Sequence, residues 1–145
     1  MIPEELSRLC GLSCMAVHQA HHIWEGEIDR SSGPVELSWS DGSFISLDAR
    51  GDWTLRIDIG PWQNYYRNAT PEQVKVLAKE VGLWVLEDMS QQSSIPLILG
   101  KVLLQIEEVI DETNEFIGLL FHFRGVSLRT AVWAGEIVFK VEENS

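Results

Sequence analysis

The chain has 145 residues, 45% of them hydrophobic, with 11 basic against 22 acidic side chains and a formal net charge of −11. That length suits one domain, large enough to bury roughly 70% of its unfolded surface without disulfides or a metal. The charge argues against a nucleic-acid binder, because affinity for phosphate chains comes from Lys and Arg displacing counterions, and equally against an anionic membrane surface. Residues 1–72 hold 5 cations and 11 acids and residues 73–145 hold 6 and 11, so the excess is no tail. A field of this kind favours solubility and draws a basic partner protein.

The first stretch, Pro3-Glu-Glu-Leu-Ser-Arg-Leu-Cys-Gly11, predicts a short N-terminal helix, with proline in its first turn, acids behind it and Gly11 to end it. It lacks the basic start and apolar run of a signal peptide. The most apolar segment, Ile95 to Ile106, is broken by Gly100, Lys101 and Gln105 and falls short of the ~20 residues a membrane span needs. A cytoplasmic location is expected, with Cys10 and Cys14 as reduced thiols in the core.

Cys10-x3-Cys14-x3-His18-x3-His22, with His21 alongside, contains the residue types that bind zinc. On a helix these four would form a stripe rising ~6 Å per step, which cannot close on one ion. On a strand 14, 18 and 22 share a face but successive members stand ~13 Å apart. No metal or other cofactor is expected. His18, His21 and His22, with Glu25 and Glu27 nearby, are the acid–base groups on which a small-ligand-binding or hydrolytic alternative would rest. The chain has no GxSxG nucleophile elbow and no phosphate-cradling glycine loop, so the non-catalytic reading is preferred.

From Val35 the period becomes that of strands. Val35, Leu37 and Trp39 alternate with polar residues and Asp41-Gly42 supplies a hairpin turn. Ile45, Leu47 and Ala49 follow, then a turn at Arg50-Gly51-Asp52, then Trp53, Leu55 and Ile57. Next comes Gly60-Pro-Trp-Gln-Asn-Tyr-Tyr-Arg67, a loop that concentrates the residue types of binding hot spots. Trp62, Tyr65, Tyr66 and Arg67 are its candidate partner-binding residues, with Trp24 as a second candidate. Of six tryptophans, roughly three times ordinary usage, Trp39, Trp53, Trp84 and Trp133 fall on apolar-face or repeat-matched positions and are expected in the core.

Thr70-Pro71-Glu72-Gln73 reads as a capping box with proline at the first helical position. Val74, Leu77, Val81 and Trp84 then lie on one face and predict a helix over 71–86, with Gly82 as a competing stop. Gln91-Gln92-Ser93-Ser94 is a loop. The acidic run Glu107-Glu108 to Glu115 lacks the spacing of a calcium loop and reads as a solvated hairpin tip. Leu119, Phe121 and Phe123, then Val126, Leu128, Thr130 and Val132, then Ile137, Phe139 and Val141 alternate around turns at Arg124-Gly125 and Ala134-Gly135.

The two halves resemble each other. Laying Leu37–Ile57 on Phe121–Val141 without gaps pairs Trp39 with Phe123, Phe44 with Leu128, Gly51 with Gly135 and Leu55 with Phe139. Gly11 to Val17 can be laid on Gly100 to Ile106 if the first half carries a longer following loop. The predicted fold class is α+β and mostly antiparallel β. It comprises two duplicated four-stranded meanders joined by a central helix, plus the short N-terminal helix. Within a single domain over 1–145 the pseudo-repeats span about 11–58 and 100–142, linked by loop 59–70 and helix 71–86. The function this implies is a non-catalytic acidic binding protein, of inhibitor or immunity type in its most concrete form, with a basic protein as partner and neither nucleic acid nor membrane. The alternative places a small ligand or a hydrolytic site at the seam between the repeats. A third reading is a subunit that self-associates through its aromatic loop.

Overall fold

Strands with one apolar face must cover that face, and here two sheets cover each other. The computed structural model describes residues 2–92 and 94–143; Met1, Asn144, Ser145 and Ser93 of the expected 91–94 loop lie outside it. The first sheet holds β1 (Cys14–Trp24), β2 (Glu27–Asp29), β3 (Val35–Trp39), β4 (Phe44–Ala49), β5 (Leu55–Ile59) and β6 (Leu83–Asp88). Its order is β2-β1-β3-β4-β5, with β6 also paired to β1. The second sheet is an uninterrupted antiparallel meander of β7 (Gln105–Ile110), β8 (Phe116–Phe123), β9 (Val126–Trp133) and β10 (Glu136–Glu143). One α-helix, α1 (Pro71–Glu80), and two 3₁₀ turns at Glu4–Leu9 and Ile95–Leu97 complete the elements.

The core lies between the sheets. Val17, Leu37, Trp39, Ile45 and Leu47 meet Leu119, Phe121, Phe123, Leu128 and Ile137, all of them buried. Each such side chain stabilises the fold by about 1.5–3 kcal/mol. The Trp39 and Phe121 rings, 6.1 Å apart, join the two layers. Antiparallel strands in two sheets with one helix are therefore the fold class that the alternation predicted.

The repeat alignment lays β3 on β8, β4 on β9 and β5 on β10. The shorter match, Gly11–Val17 on Gly100–Ile106, has a physical counterpart. Ser13 forms an antiparallel bridge with Val102, the residue it is matched to. Gly11 N–H donates to Leu103 O at 2.9 Å and Gly100 N–H to Cys14 O at 2.8 Å, which are the same contact seen from each half. Leu103 N–H to Leu12 O and Cys14 N–H to Lys101 O form a second reciprocal pair. The two matched segments thus bind each other about a local pseudo-twofold.

Several expectations are corrected. The helix predicted over 71–86 stops at Glu80, because Gly82 takes a left-handed φ of +84° and both Val81 N–H and Gly82 N–H donate to Leu77 O. Residues beyond it form β6, so Trp84 sits on a strand and the first sheet has six strands instead of four. The capping box at Thr70 and Gln73 is present as predicted. Trp53 and Trp133 are not core: they are 60% and 72% exposed. Trp53 occupies a hairpin turn with φ +67°, and Trp133 ends β9 one residue past the inward-facing Val132. Cys10 is exposed, whereas Cys14 is buried and burial pushes its thiol up to about 12. A register shift between Cys14 and Ala16 turns Cys14 inward, so it does not share a face with His18 and His22.

Five turns share one chemistry. Asp29, Asp41, Asp52, Asp88 and Asp111 each accept the backbone N–H two residues ahead, from Ser31, Ser43, Thr54, Ser90 and Thr113. The hydrogen bonds hold all five carboxyl groups below their ordinary 3.8. For Asp29 and Asp52 the side-chain bonds from Ser31 and Thr54 are the largest cause, for Asp41 the proximity of Ser43, and for Asp88 and Asp111 the Ser90 and Glu115 backbone N–H groups. A carboxyl depressed by folding stabilises the protein above its unfolded pKa and loses that contribution as pH falls through its folded one. The thermal midpoint is therefore expected to fall as pH drops below about 4. In circular-dichroism melts, a variant combining Asp41→Ala, Asp52→Ala and Asp111→Ala should show a shallower acid fall than the parent.

Candidate functional site

Alternation along β1 separates the three N-terminal histidines. His21 and Gln19 point into the core, while His18 and His22 take the opposite face. They form no acid–base cluster.

His21 is fully buried and hydrogen-bonded at both ring nitrogens. Its Nδ1 lies 2.6 Å from Glu87 Oε1 and its Nε2 2.8 Å from Gln19 Oε1. The Gln19 amide nitrogen donates to Gly33 O at 3.1 Å and Ile137 O at 3.3 Å, so only its oxygen faces His21. The His21 hydrogen bond, and then Arg30 with its Nε at 3.2 Å, keep the Glu87 carboxyl below its ordinary range. An ionised carboxylate only accepts. Acceptor oxygens therefore face both ring nitrogens of His21. Ile137 O also accepts from Gly33 N–H at 2.9 Å, so β1, the 33–34 segment and β10 form one hydrogen-bonded unit. The approach is close enough that a Cβ on Gly33 would lie 1.7 Å from Ala20 O.

On the outer face, His22 Nε2 lies 2.6 Å from Val81 O and its ring 5.2 Å from that of Trp84. Trp24 Nε1 donates to Lys79 O at 3.2 Å. Both side chains thus satisfy carbonyls at the C-terminal end of α1, which a helix leaves without intrahelical partners. His18 Nδ1 stands 3.7 Å from Glu36 Oε1, beyond hydrogen-bond distance.

The 60–67 loop folds across this same outer face and is tied to it at each step. Ser46 donates to Gly60 O at 2.8 Å, and Trp62 N–H to Glu36 Oε2 at 2.9 Å. Tyr65 OH donates to Asp48 Oδ2, and Trp84 N–H to the Tyr66 hydroxyl oxygen, each at 2.8 Å. Arg67 curls back, donating to Asn64 O at 3.2 Å, and stays exposed. Tyr65 meets Trp62, Tyr66 and Trp84 with interplanar angles of 83–87°. Partial burial and the Asp48 carboxylate push the Tyr65 phenol above its ordinary value, so it remains a donor.

Tyr65 and Asp48 stand between two cavities. A groove of about 390 Å³ separates the loop from β4 and β5, lined by Asp48, Arg56, Asp58, Trp62, Tyr65 and Arg67 among others. Arg56 and Asp58, neighbours on one face of β5, pair with each other at 3.0 Å. A second cavity of about 350 Å³ lies at the seam, where the turn at Gly135 meets Pro34 and Asp48. The chain shows no significant match to any protein-family model, curated protein or solved structure. Its site is therefore read from its own residues.

Of the predicted residues, the structure gathers Trp62, Tyr65, Tyr66 and Arg67, and sets Trp24 apart against α1. Sequence reasoning did not single out Asp48, Arg56, Asp58 or Glu36, which alternation treats as ordinary outward polar residues. The available signal was the aromatic loop, which has to lie on some outward face. The arrangement offers rigid aromatic walls, hydroxyl donors and carboxylate acceptors, a set suited to holding a polar or cationic group.

Replacing His21 with alanine should leave the buried Gln19 carbonyl without its partner and open a cavity beside it, while the half-buried Glu87 keeps Arg30. The expected cost is about 1–3 kcal/mol, read from urea unfolding of the parent and the variant.

Proposed function

We propose that this is a non-catalytic binding protein that holds a basic protein partner on the surface formed by loop 60–67 and the acidic strands beneath it. The observation that carries this reading is the fixation of Tyr65. Its ring is wedged at right angles among Trp62, Tyr66 and Trp84 and its hydroxyl is held by Asp48, yet half of it remains exposed. A rigid aromatic with a polar tip gives contact area at little entropic cost, which is what a hot spot needs.

The net charge of −11 supports the sign of the partner, since an acidic field accelerates encounter with a basic surface. In its most concrete form the protein is an inhibitor of immunity type that neutralises a basic toxic protein. A hydrolytic reading finds less support, because His18 and His22 lie on the face opposite to His21, and His21 is occupied at both nitrogens.

The test starts with affinity capture from the native cell at low salt, followed by calorimetry with the captured protein. A basic partner should bind, weaken as salt is raised, and bind Tyr65→Ala at least about thirtyfold less tightly, the effect of a 2 kcal/mol hot spot. A folded Tyr65→Ala variant that keeps full affinity would contradict the proposal.

A further inference from the structure

We infer that the seam cavity is a receptor for one organic cation head, the ammonium or guanidinium of a Lys or Arg side chain presented by the basic partner. This rests on the binding reading for the source of the cation. The pocket's preference for a cation follows from its own walls.

Those walls come from distant parts of the chain. Asp48 on β4, Glu136 at the start of β10 and the rings of Tyr65 and Trp84 all line the cavity. Gly33-Pro34 and the turn at Gly135 also line the cavity, and among the described residues no Lys or Arg does. The two rings are 6.3 Å apart and nearly perpendicular, at 84°, so they present a corner to whatever enters. A cation beside such rings is attracted by their quadrupoles, and more strongly once water is displaced.

Both carboxylates keep acceptor capacity. Asp48 uses one oxygen on Tyr65 OH and the other on Ala49 N–H, and each oxygen retains a second lone pair. Glu136 Oε2 accepts from Ser32 OH, which orients the group towards the seam. A third aromatic stands beside the turn: a Cβ on Gly135 would lie 3.2 Å from Trp53 Nε1, so the exposed Trp53 indole rests on that turn. The cavity, at about 350 Å³, is large enough for a side-chain terminus and a share of its alkyl stem. An apolar or anionic head would leave the two carboxylates facing it without compensation.

The shape of the pocket follows from the core. Gly33 and Ile137, which line it, are the residues whose carbonyls Gln19 holds from below. The receptor is therefore built before any ligand arrives.

The experiment uses small probes and needs no partner. Nitrogen-15 spectra of the whole protein are titrated with Nα-acetyl-lysine methylamide, with the norleucine analogue that lacks the ammonium, and with tetramethylammonium. The lysine probe should shift the Trp84 indole N–H and the Gly135 amide saturably, and the norleucine analogue should not. Glu136→Gln, which keeps an acceptor for Ser32, should weaken the lysine probe by about fivefold or more, in the range of a lost charge contact. Asp48→Asn serves the same purpose if Glu136→Gln does not fold. Equal shifts from norleucine, or lysine shifts scattered over exposed acids with Trp84 unmoved, would overturn the inference. Tetramethylammonium binding at least tenfold more tightly than lysine would overturn the assignment to a partner's side chain in favour of a free small cation. Failure of these titrations would leave the capture experiment with Tyr65→Ala standing, and failure of that capture would leave the titrations standing.

Discussion

Two sheets packed through apolar side chains have no strong preference for one relative placement, because the hydrophobic effect has no direction. Here a chain of directional contacts supplies it. Arg30 reaches Glu87, Glu87 accepts from His21, His21 donates to Gln19, and Gln19 donates to the carbonyls of Gly33 and Ile137. That chain begins at the exposed edge of the first sheet and ends on β10 of the second. Slipping either sheet by one residue would leave the buried His21 ring and the buried Gln19 amide without these partners, which costs free energy. The seam cavity is lined by the two residues at the end of this chain, so the placement of the sheets and the shape of the pocket share one cause.

Much of the fold was legible because its signals are local. Period-two alternation, glycine-bearing turns and the capping box at Thr70 each report on a few adjacent residues, and each was realised. The segments around Ser13 and Val102 that the repeat alignment matched hydrogen-bond to one another. The errors arose where two local signals competed. The apolar stripe of Val74, Leu77, Val81 and Trp84 continues across Gly82, but the backbone conformation of that glycine decided the outcome. Trp53 and Trp133 carry large apolar side chains at strand ends, where a shift of one position separates core from solvent.

The site was half legible for a different reason. The aromatic loop stands out in composition, but the polar residues beneath it sit at positions that alternation assigns to solvent. Glu36, Ser46, Asp48 and Asp58 belong to the site only because the chain returns over them after β5. Likewise nothing in the spacing of His18, His21 and His22 indicated that one is a buried bridge between layers and another a cap for a helix end. Those roles depend on Glu87, Gln19 and Val81, whose positions are set by tertiary pairing. Histidines that looked like a reactive cluster are held apart by separate hydrogen bonds, and it is the outward carboxylates that line the cavities on which the proposed binding rests.

The joining of the two sheets depends most on the fully buried His21 engaging both Glu87 and Gln19. A long-range proton–nitrogen correlation spectrum of the histidine side chains at neutral pH, with His21 assigned through loss of its signal in His21→Gln, reads that state directly. Imidazolium-type shifts for both Nδ1 and Nε2, with slowly exchanging N–H protons, are the predicted result. A neutral ring with one unprotonated nitrogen would contradict it, and with it the chain of contacts that joins the two sheets.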